Sequence, residues 1–259
     1  VFVDIVPGPK WTGLAATIRK HRELIETYDY VWLPDDDLLT DTTMVDRLFA
    51  LAEKFDFEMC QPALTLDSYW SHLITVQHAA FYFRLTNYVE LMAPLFSRKF
   101  LQQVLPTFDG TISGWGIDLV WPRLTSLGKI AIIDSTPVKH TRPVGGPSYA
   151  LSKEAGVRPY QEYEQVAARK FLDHRIGDFL SYGGQLADGR GIALDADKAS
   201  INQLLSALHE SVKLAGVSPL ALVRYLQTHV AFWEGSPLKA APYSRDEIRR
   251  AIAGIVGLS

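Results

Sequence analysis

The chain has 259 residues, 47% of them apolar and 21% charged, with a formal net charge of -3 and a pI near 6.2. That length and composition suit one large soluble domain, or a domain with an appendage, around a sizeable core. The charge balance excludes a surface that attracts nucleic acid or an anionic membrane over its whole extent, since the basic clusters, Arg98-Lys99 and Arg249-Arg250, are short.

In chain order, the β-branched run at 1–6 ends in Pro7-Gly8-Pro9 and predicts a strand and a turn. The sequence starts at Val1, not Met, and an upstream segment is expected before it. Between 12 and 27, Leu14, Ile18, Leu24 and Ile25 recur among Arg, Lys, His and Glu, the pattern of an amphipathic helix. Residues 28–33 predict a strand, and 40–54 a helix capped by Thr40 or Asp41. Residues 58–64 predict a strand closed by Pro62. This segment holds Cys60, the single cysteine, which cannot form an internal disulfide and fits a reducing, cytoplasmic setting. Two strands are expected in the aromatic stretch 73–92, helices at 97–105 and 117–127, the latter with Pro122 near its start or at a kink, and a strand at 129–138.

Strands alternating with helices predict an α/β layer with a largely parallel sheet. After about residue 149 helical patterns dominate, at 159–175, 197–215, 218–232 and 244–256, with the Gly-rich interval 181–191 separating the first two. The expectation is therefore an α/β domain over 1–150 and a helical C-terminal extension over 151–259. No apolar run reaches the ~18 residues of a membrane-spanning helix, and no basic-then-apolar leader opens the sequence.

Chemistry concentrates in three places. In "YDYVWLPDDDLLT" (28–40) an aromatic, apolar run ends in Asp35, Asp36 and Asp37. Ligands of α/β sheets collect at the carboxyl ends of strands, and three adjacent carboxylates repel unless a cation is shared. A hard ion, Mg²⁺ or Mn²⁺, prefers oxygen ligands and keeps phosphate oxygens too. In an Asp-X-Asp turn, Asp35 and Asp37 point to a similar side, one for the metal and the other for a sugar hydroxyl or a supporting role. A solvated turn with Asp37 as a helix cap is the plainer alternative.

In "SGWGIDLVW" (113–121), Gly114, Trp115 and Gly116 set a flat indole on a flexible backbone, a platform for the apolar face of a sugar. Asp118 follows at a helix start, where the dipole favours its anion by a few tenths to about 1 kcal/mol, and where it can serve as a general base. A core Trp between turn glycines, with Asp118 as a cap, is the alternative. In "DSTPVKHTRPVGG" (134–146), His140 stands at a strand end and can complete a metal shell. Lys139 and Arg142 flank it and can balance a leaving diphosphate, and Gly145-Gly146 can hinge a loop. The alternative for His140 is an ordinary surface or hydrogen-bonded residue, and for Lys139 and Arg142 a simply solvated pair.

The blocks "YDYVWLPDDDL", "QPALTLDSYWSH", "NYVELMAPLFSR", "SGWGIDLVWPRL" and "IIDSTPVKHTRPVGG", in this order, resemble the family DUF707, over roughly residues 8 to 150. The resemblance implies a GT-A-like nucleotide-diphospho-sugar transferase sandwich and a metal-dependent glycosyltransferase. By analogy with the Gly-Trp-Gly-X-Glu/Asp segment of inverting galactosyltransferase-type enzymes, it implies transfer with inversion. Carried over, Asp35 and Asp37 match the Asp-X-Asp metal motif, Asp36 its middle position, His140 the later metal ligand, Asp118 the base and Trp115 the sugar platform. Tyr69, His72 and Glu90 fall within the same blocks and are further candidates for donor or acceptor binding, with packing or sheet hydrogen bonds as their alternative. The implied partners are a nucleotide-sugar donor, a UDP-sugar foremost, and a glycan or other hydroxyl acceptor. The family opens with more chain before the acidic motif, so a first strand is expected to be missing here.

Two rival readings stand beside this one. One is a nucleotide-sugar- or carbohydrate-binding protein without catalysis. The other is a metal-dependent phosphohydrolase or nucleotidyltransferase, which also pairs carboxylates with a divalent ion.

Overall fold

The computed structural model describes residues 3–65, 67–144, 147–170, 172, 179 and 181–193. In chain order the elements are α1 (Lys10–Lys20), α2 (Arg22–Ile25), β1 (Tyr30–Trp32), β2 (Leu38–Leu39), α3 (Thr42–Lys54), β3 (Met59–Leu64), β4 (Phe81–Thr86), β5 (Leu95–Ser97), α4 (Arg98–Val104), α5 (Ile117–Val120), β6 (Ile130–His140), α6 (Pro147–Glu154), α7 (Pro159–Arg169), β7 (Ser181–Leu186) and β8 (Gly191–Ala193). No described helix is long and apolar enough to cross a membrane.

Seven strands lie side by side in the order β1-β5-β3-β6-β4-β7-β8, and β2 pairs with β6 off this row. The sheet is mixed. Among the described strands β3 and β6 are the parallel pair, and the other pairings are antiparallel, so the expected largely parallel sheet is not what forms. Consecutive residues alternate between two apolar clusters: Cys60, Leu95 and Ala131 in one, Met59, Phe96 and Ile130 in the other. This is the period-2 pleat of a sheet buried on both faces. Leu48, Leu51 and Ala52 of α3 cover the first face, and residues of α1, α4, α5 and α7 cover the second, giving a three-layer α/β sandwich.

Local chemistry sets most boundaries. Asp41 caps α3 by accepting from the Met44 amide (2.8 Å), and Ser97 caps α4. Pro122 has no N–H to donate, so α5 ends at Val120 and continues only as a tight turn over 121–124. Pro62 lies inside β3, where the register with β6 shifts between Pro62 and Leu64; a missing donor is tolerated at such an irregularity.

Several expectations need correction. Residues 3–6 form no strand: Val3 and Ile5 are 82% and 84% exposed, prolines 7 and 9 follow, and among the described residues no strand pairs with them. The stretch 73–92 holds one strand, β4, after a short helical turn at 73–75. The Gly-rich interval is a hairpin, not a separator between helices. β7 pairs with β4 because Gly184, at φ +156°, lets the backbones meet where a Cβ would fall 2.2 Å from the Phe83 carbonyl oxygen. The described chain after residue 150 thus adds both a helix and two strands to the same sandwich. The helices expected at 197–215, 218–232 and 244–256 lie outside the described residues.

Candidate active site

β1 is antiparallel to β5 and β5 to β3, so the carboxyl ends of β1, β3 and β6 share one edge of the sheet. The acidic turn leaves β1 at that edge, and His140 ends β6 there. The turn is stitched to residues 92–94: the Trp32 indole donates to the Ala93 carbonyl (3.0 Å), Leu33 N–H to Pro94 (2.9 Å) and Asp35 N–H to Met92 (2.8 Å).

The three acids do not share one cation: Asp35 is paired apart from Asp36 and Asp37, which share Arg142. Lys10 Nζ donates to Asp35 Oδ1 at 2.5 Å and to the Leu91 carbonyl at 3.0 Å, and lies 4.8 Å from the Trp11 ring centroid. Burial pulls the Lys10 ammonium below its ordinary range, and Asp35 opposes that. Exposed Asp36 pairs with Arg142, whose Nε also donates to Asp37 Oδ2 (3.0 Å). Like-charge repulsion in the triplet is therefore largely met by side-chain cations, and does not by itself require a metal.

Asp37 and His140 are a different case. β2 pairs with the end of β6, with Leu38 opposite His140, and this brings Asp37 Oδ2 within 3.1 Å of His140 Nε2. His140 Nδ1 is 2.7 Å from the Tyr69 carbonyl oxygen, which only accepts, so Nδ1 carries a proton. Nε2 then faces a carboxylate oxygen, and two acceptors meet stably there only with a cation or a second ring proton between them. Asp37 Oδ1 is buried and has no hydrogen-bond partner. An orphaned carboxylate oxygen beside an imidazole nitrogen fits a hard divalent ion that fills its remaining positions with water and phosphate oxygens. Among the described residues no three His, Cys, Asp or Glu side chains gather closely enough to hold a metal, and Asp35 is held by Lys10.

Other expected residues sit as follows. Lys139 pairs with Asp67 (2.5 Å) and makes none of the contacts to the acidic turn that Arg142 makes. Tyr69 meets His140 through its backbone, while its ring is exposed. His72 packs edge-on to Tyr88 and Phe179, and burial pushes its pKa down. Gly145 and Gly146 lie outside the described residues.

The second constellation stands on α5. Gly114 and Gly116 take φ of +75° and +85°, and a Cβ would fall 2.2 Å from Trp11 Cδ1 at the first and 2.5 Å from Tyr163 Cβ at the second, so both positions demand glycine. Trp115 between them is half-buried, its ring centroid 6.2 Å from that of Tyr160 and 6.1 Å from that of Tyr163. Asp118 is buried; its Oδ2 accepts from the Tyr88 hydroxyl (2.9 Å) and from Leu91 N–H (3.3 Å). Burial pushes its pKa up to about 6, against the lowering effect of the Tyr88 hydrogen bond. Buried Glu90 is pushed up to about 8, by burial first and the charge of Asp118 next, and its Oε2 has no partner. Two carboxyls driven to different pKa values are the arrangement in which one is ionised and the other neutral near pH 7. Leu91 joins the two constellations: its carbonyl accepts from Lys10 and its amide donates to Asp118.

Sequence reasoning missed Lys10, Tyr88, Gln61 and Glu162. The Gln61 side chain accepts from Glu90 N–H (2.6 Å), and the Glu162 carboxylate accepts from the amides of Ile112, Ser113 and Gly114. Tyr88 and Gln61 lie inside the quoted blocks, but nothing in their spacing marks them. Lys10 directly follows Pro-Gly-Pro, and Glu162 sits among alternating Tyr, Glu and Gln residues; neither position carries a local signal.

No protein family, no curated protein and no solved structure matches the chain.

Proposed function

We propose that this protein is a metal-dependent, inverting glycosyltransferase that moves a sugar from a nucleoside-diphosphate donor, a UDP-sugar foremost, to a hydroxyl acceptor. The observation that carries the reading is Asp118: a buried carboxylate with a pKa raised to about 6, tied through Leu91 to the acidic turn. A base with that pKa is ionised at neutral pH and still basic enough to assist a hydroxyl. A GT-A-like sandwich is part of the same proposal; what supports it is the α/β/α layering with the acids at one strand edge.

In this reading Asp118 takes the acceptor hydroxyl's proton as the new oxygen–carbon bond forms at the anomeric carbon. The bond from that carbon to the diphosphate breaks on the opposite face, inverting the centre. Asp37 and His140 would hold a divalent ion, Mn²⁺ or Mg²⁺, which supplies neutralisation of the diphosphate charge. Arg142, donating to Asp36 and Asp37, stands ready to turn a guanidinium donor toward phosphate oxygens. Trp115 offers its face to a sugar ring. Tyr88 keeps Asp118 oriented.

One test is a panel of nucleotide sugars with Mn²⁺ and assorted glycan acceptors, scored for acceptor-dependent release of nucleoside diphosphate. Transfer with at least one donor, lost in Asp37→Ala, is the expected outcome. No transfer with any donor, together with tight nucleotide binding, would favour the second reading, a binding protein without catalysis. The observation on that side is that Lys10 and Arg142 already neutralise the acidic turn.

A further inference from the structure

Glu162 of α7 is 1% exposed, yet among the described residues none of the donors to its carboxylate is a cation. Its Oε2 accepts from the amides of Ile112 (2.9 Å), Ser113 (3.1 Å) and Gly114 (3.3 Å). Its Oε1 accepts from the Ser113 amide (3.2 Å), the Ser113 hydroxyl (3.1 Å) and the Ser152 hydroxyl (2.8 Å). Three successive N–H groups converging on one anion form a nest, which fixes the backbone of those residues through charge-assisted hydrogen bonds.

What the nest holds is the start of the loop that carries the second constellation. The Ser113 hydroxyl donates to Glu162 and accepts from the Trp115 amide (3.1 Å), so the carboxylate orients Trp115 through one intervening group. The Gly114 carbonyl accepts from Ile117 N–H (3.2 Å), the first turn of α5, and Asp118 is the next residue. The neighbouring residue on α7, Tyr163, closes the space beneath Gly116. The placement of Asp118 and Trp115 thus leads back to one side chain, 48 to 50 positions along the sequence from the three amides it holds.

We propose that Glu162 is the positioning residue for Asp118 and Trp115. It touches neither substrate nor reacting atoms; it fixes residues 112–114, and through them the base and the indole. This inference rests on the reading of Asp118 as base. A carboxylate is the fitting group because two oxygens with about four lone-pair sites meet the surrounding donors. A glutamine keeps the shape but turns an NH₂ toward donors, which forces the loop to move. A displacement of about 1 Å at a reacting group costs about 100-fold in rate.

The test uses the full chain with Glu162→Gln, Glu162→Asp and the milder Ser113→Ala, which removes only the hydroxyl relay. Expected in Glu162→Gln is a drop in kcat of about 100-fold, with donor KM and Mn²⁺ affinity unchanged, because Asp37 and His140 lie on other elements. Glu162→Asp should recover part of the lost kcat, since it keeps the anion, and Ser113→Ala should lower kcat with the fold intact. Hydrogen exchange at the amides of residues 112–114 should rise at least tenfold in Glu162→Gln, while amides of β3 and β6 hold their protection. Unchanged exchange at 112–114 overturns the inference. So does a loss of Mn²⁺ and nucleotide binding in step with kcat, which marks a merely structural role. If the wild type transfers no sugar, the function proposed above fails, and the exchange measurement still decides whether Glu162 fixes the loop.

Discussion

The ammonium of Lys10 and the carboxylate of Asp35 lie 2.5 Å apart, so the first acid of the triplet belongs to a helix start 25 positions earlier and not to its two neighbours. This pairing divides the acidic turn: Asp35 with Lys10, Asp36 with Arg142, and Asp37 with both Arg142 and His140. It also predicts competition. Lys10→Met should free Asp35 as a further oxygen ligand and tighten Mn²⁺ binding about tenfold, since added ligand charge raises affinity for hard cations. The lost ion pair itself should cost at most about 1 kcal/mol of stability. Calorimetric titration with Mn²⁺ reads the first effect, and unchanged or weaker binding would show that Asp35 is not recruited.

Glu90 predicts a pH dependence of folding. Its carboxyl is pushed from 4.5 up to about 8, by burial and then by Asp118. Between those values the folded protein keeps a proton that the unfolded chain has released. The stabilising contribution is therefore complete below about pH 4.5 and is lost as pH rises through about 8. Glu90→Gln, always neutral, should raise the free energy of unfolding in urea more at pH 8 than at pH 5, by a difference on the order of a few kcal/mol. Equal shifts at both pH values would contradict the raised pKa.

Tyr88 predicts a shift in the base itself. Its hydroxyl stabilises the ionised form of Asp118. Tyr88→Phe should move the acid limb of transfer to higher pH and cost roughly 1 kcal/mol of stability. An acid limb that stays in place would remove Tyr88 from the control of Asp118.

A buried ion pair predicts the largest effect on stability. Arg84 of β4 donates from Nε and Nη2 to the two oxygens of Asp134 on β6, both at 2.9 Å, and the His78 amide adds a bond of 2.8 Å to the same carboxylate. Both side chains are at most 1% exposed. Asp134→Ala leaves a buried guanidinium uncompensated and should cost about 3–5 kcal/mol, measured by urea unfolding. A loss under 1 kcal/mol would mean that water or the Val76 carbonyl, which also accepts from Arg84, takes over the compensation.

Elements whose signals are local were legible in the sequence. The α3 cap, Asp41 of the two candidates Thr40 and Asp41, the helix at 97–105 and the apolar run of β6 each depend on a few adjacent residues. What was not legible depends on distant partners. Residues 3–6 have strand propensity but pair with no strand among the described residues, and Gly183-Gly184 look like a linker until β4 is placed against them. The mixed sheet order follows from tertiary pairing, which propensity does not encode. In the candidate site, residue types alone picked out Asp37, His140 and Asp118. Lys10 and Glu162 could not be seen, because their roles exist only once α1 and α7 are folded against the loops they hold.

The rate of sugar transfer as a function of pH, in the wild type and in Asp118→Asn, tests the central claim most directly. The predicted result is a wild-type rate that climbs with pH through about 6 and then levels, as Asp118 ionises, and a variant at least about 100-fold slower that has lost this limb. A variant that turns over at the wild-type rate, with the same pH dependence, would show that Asp118 is not the base.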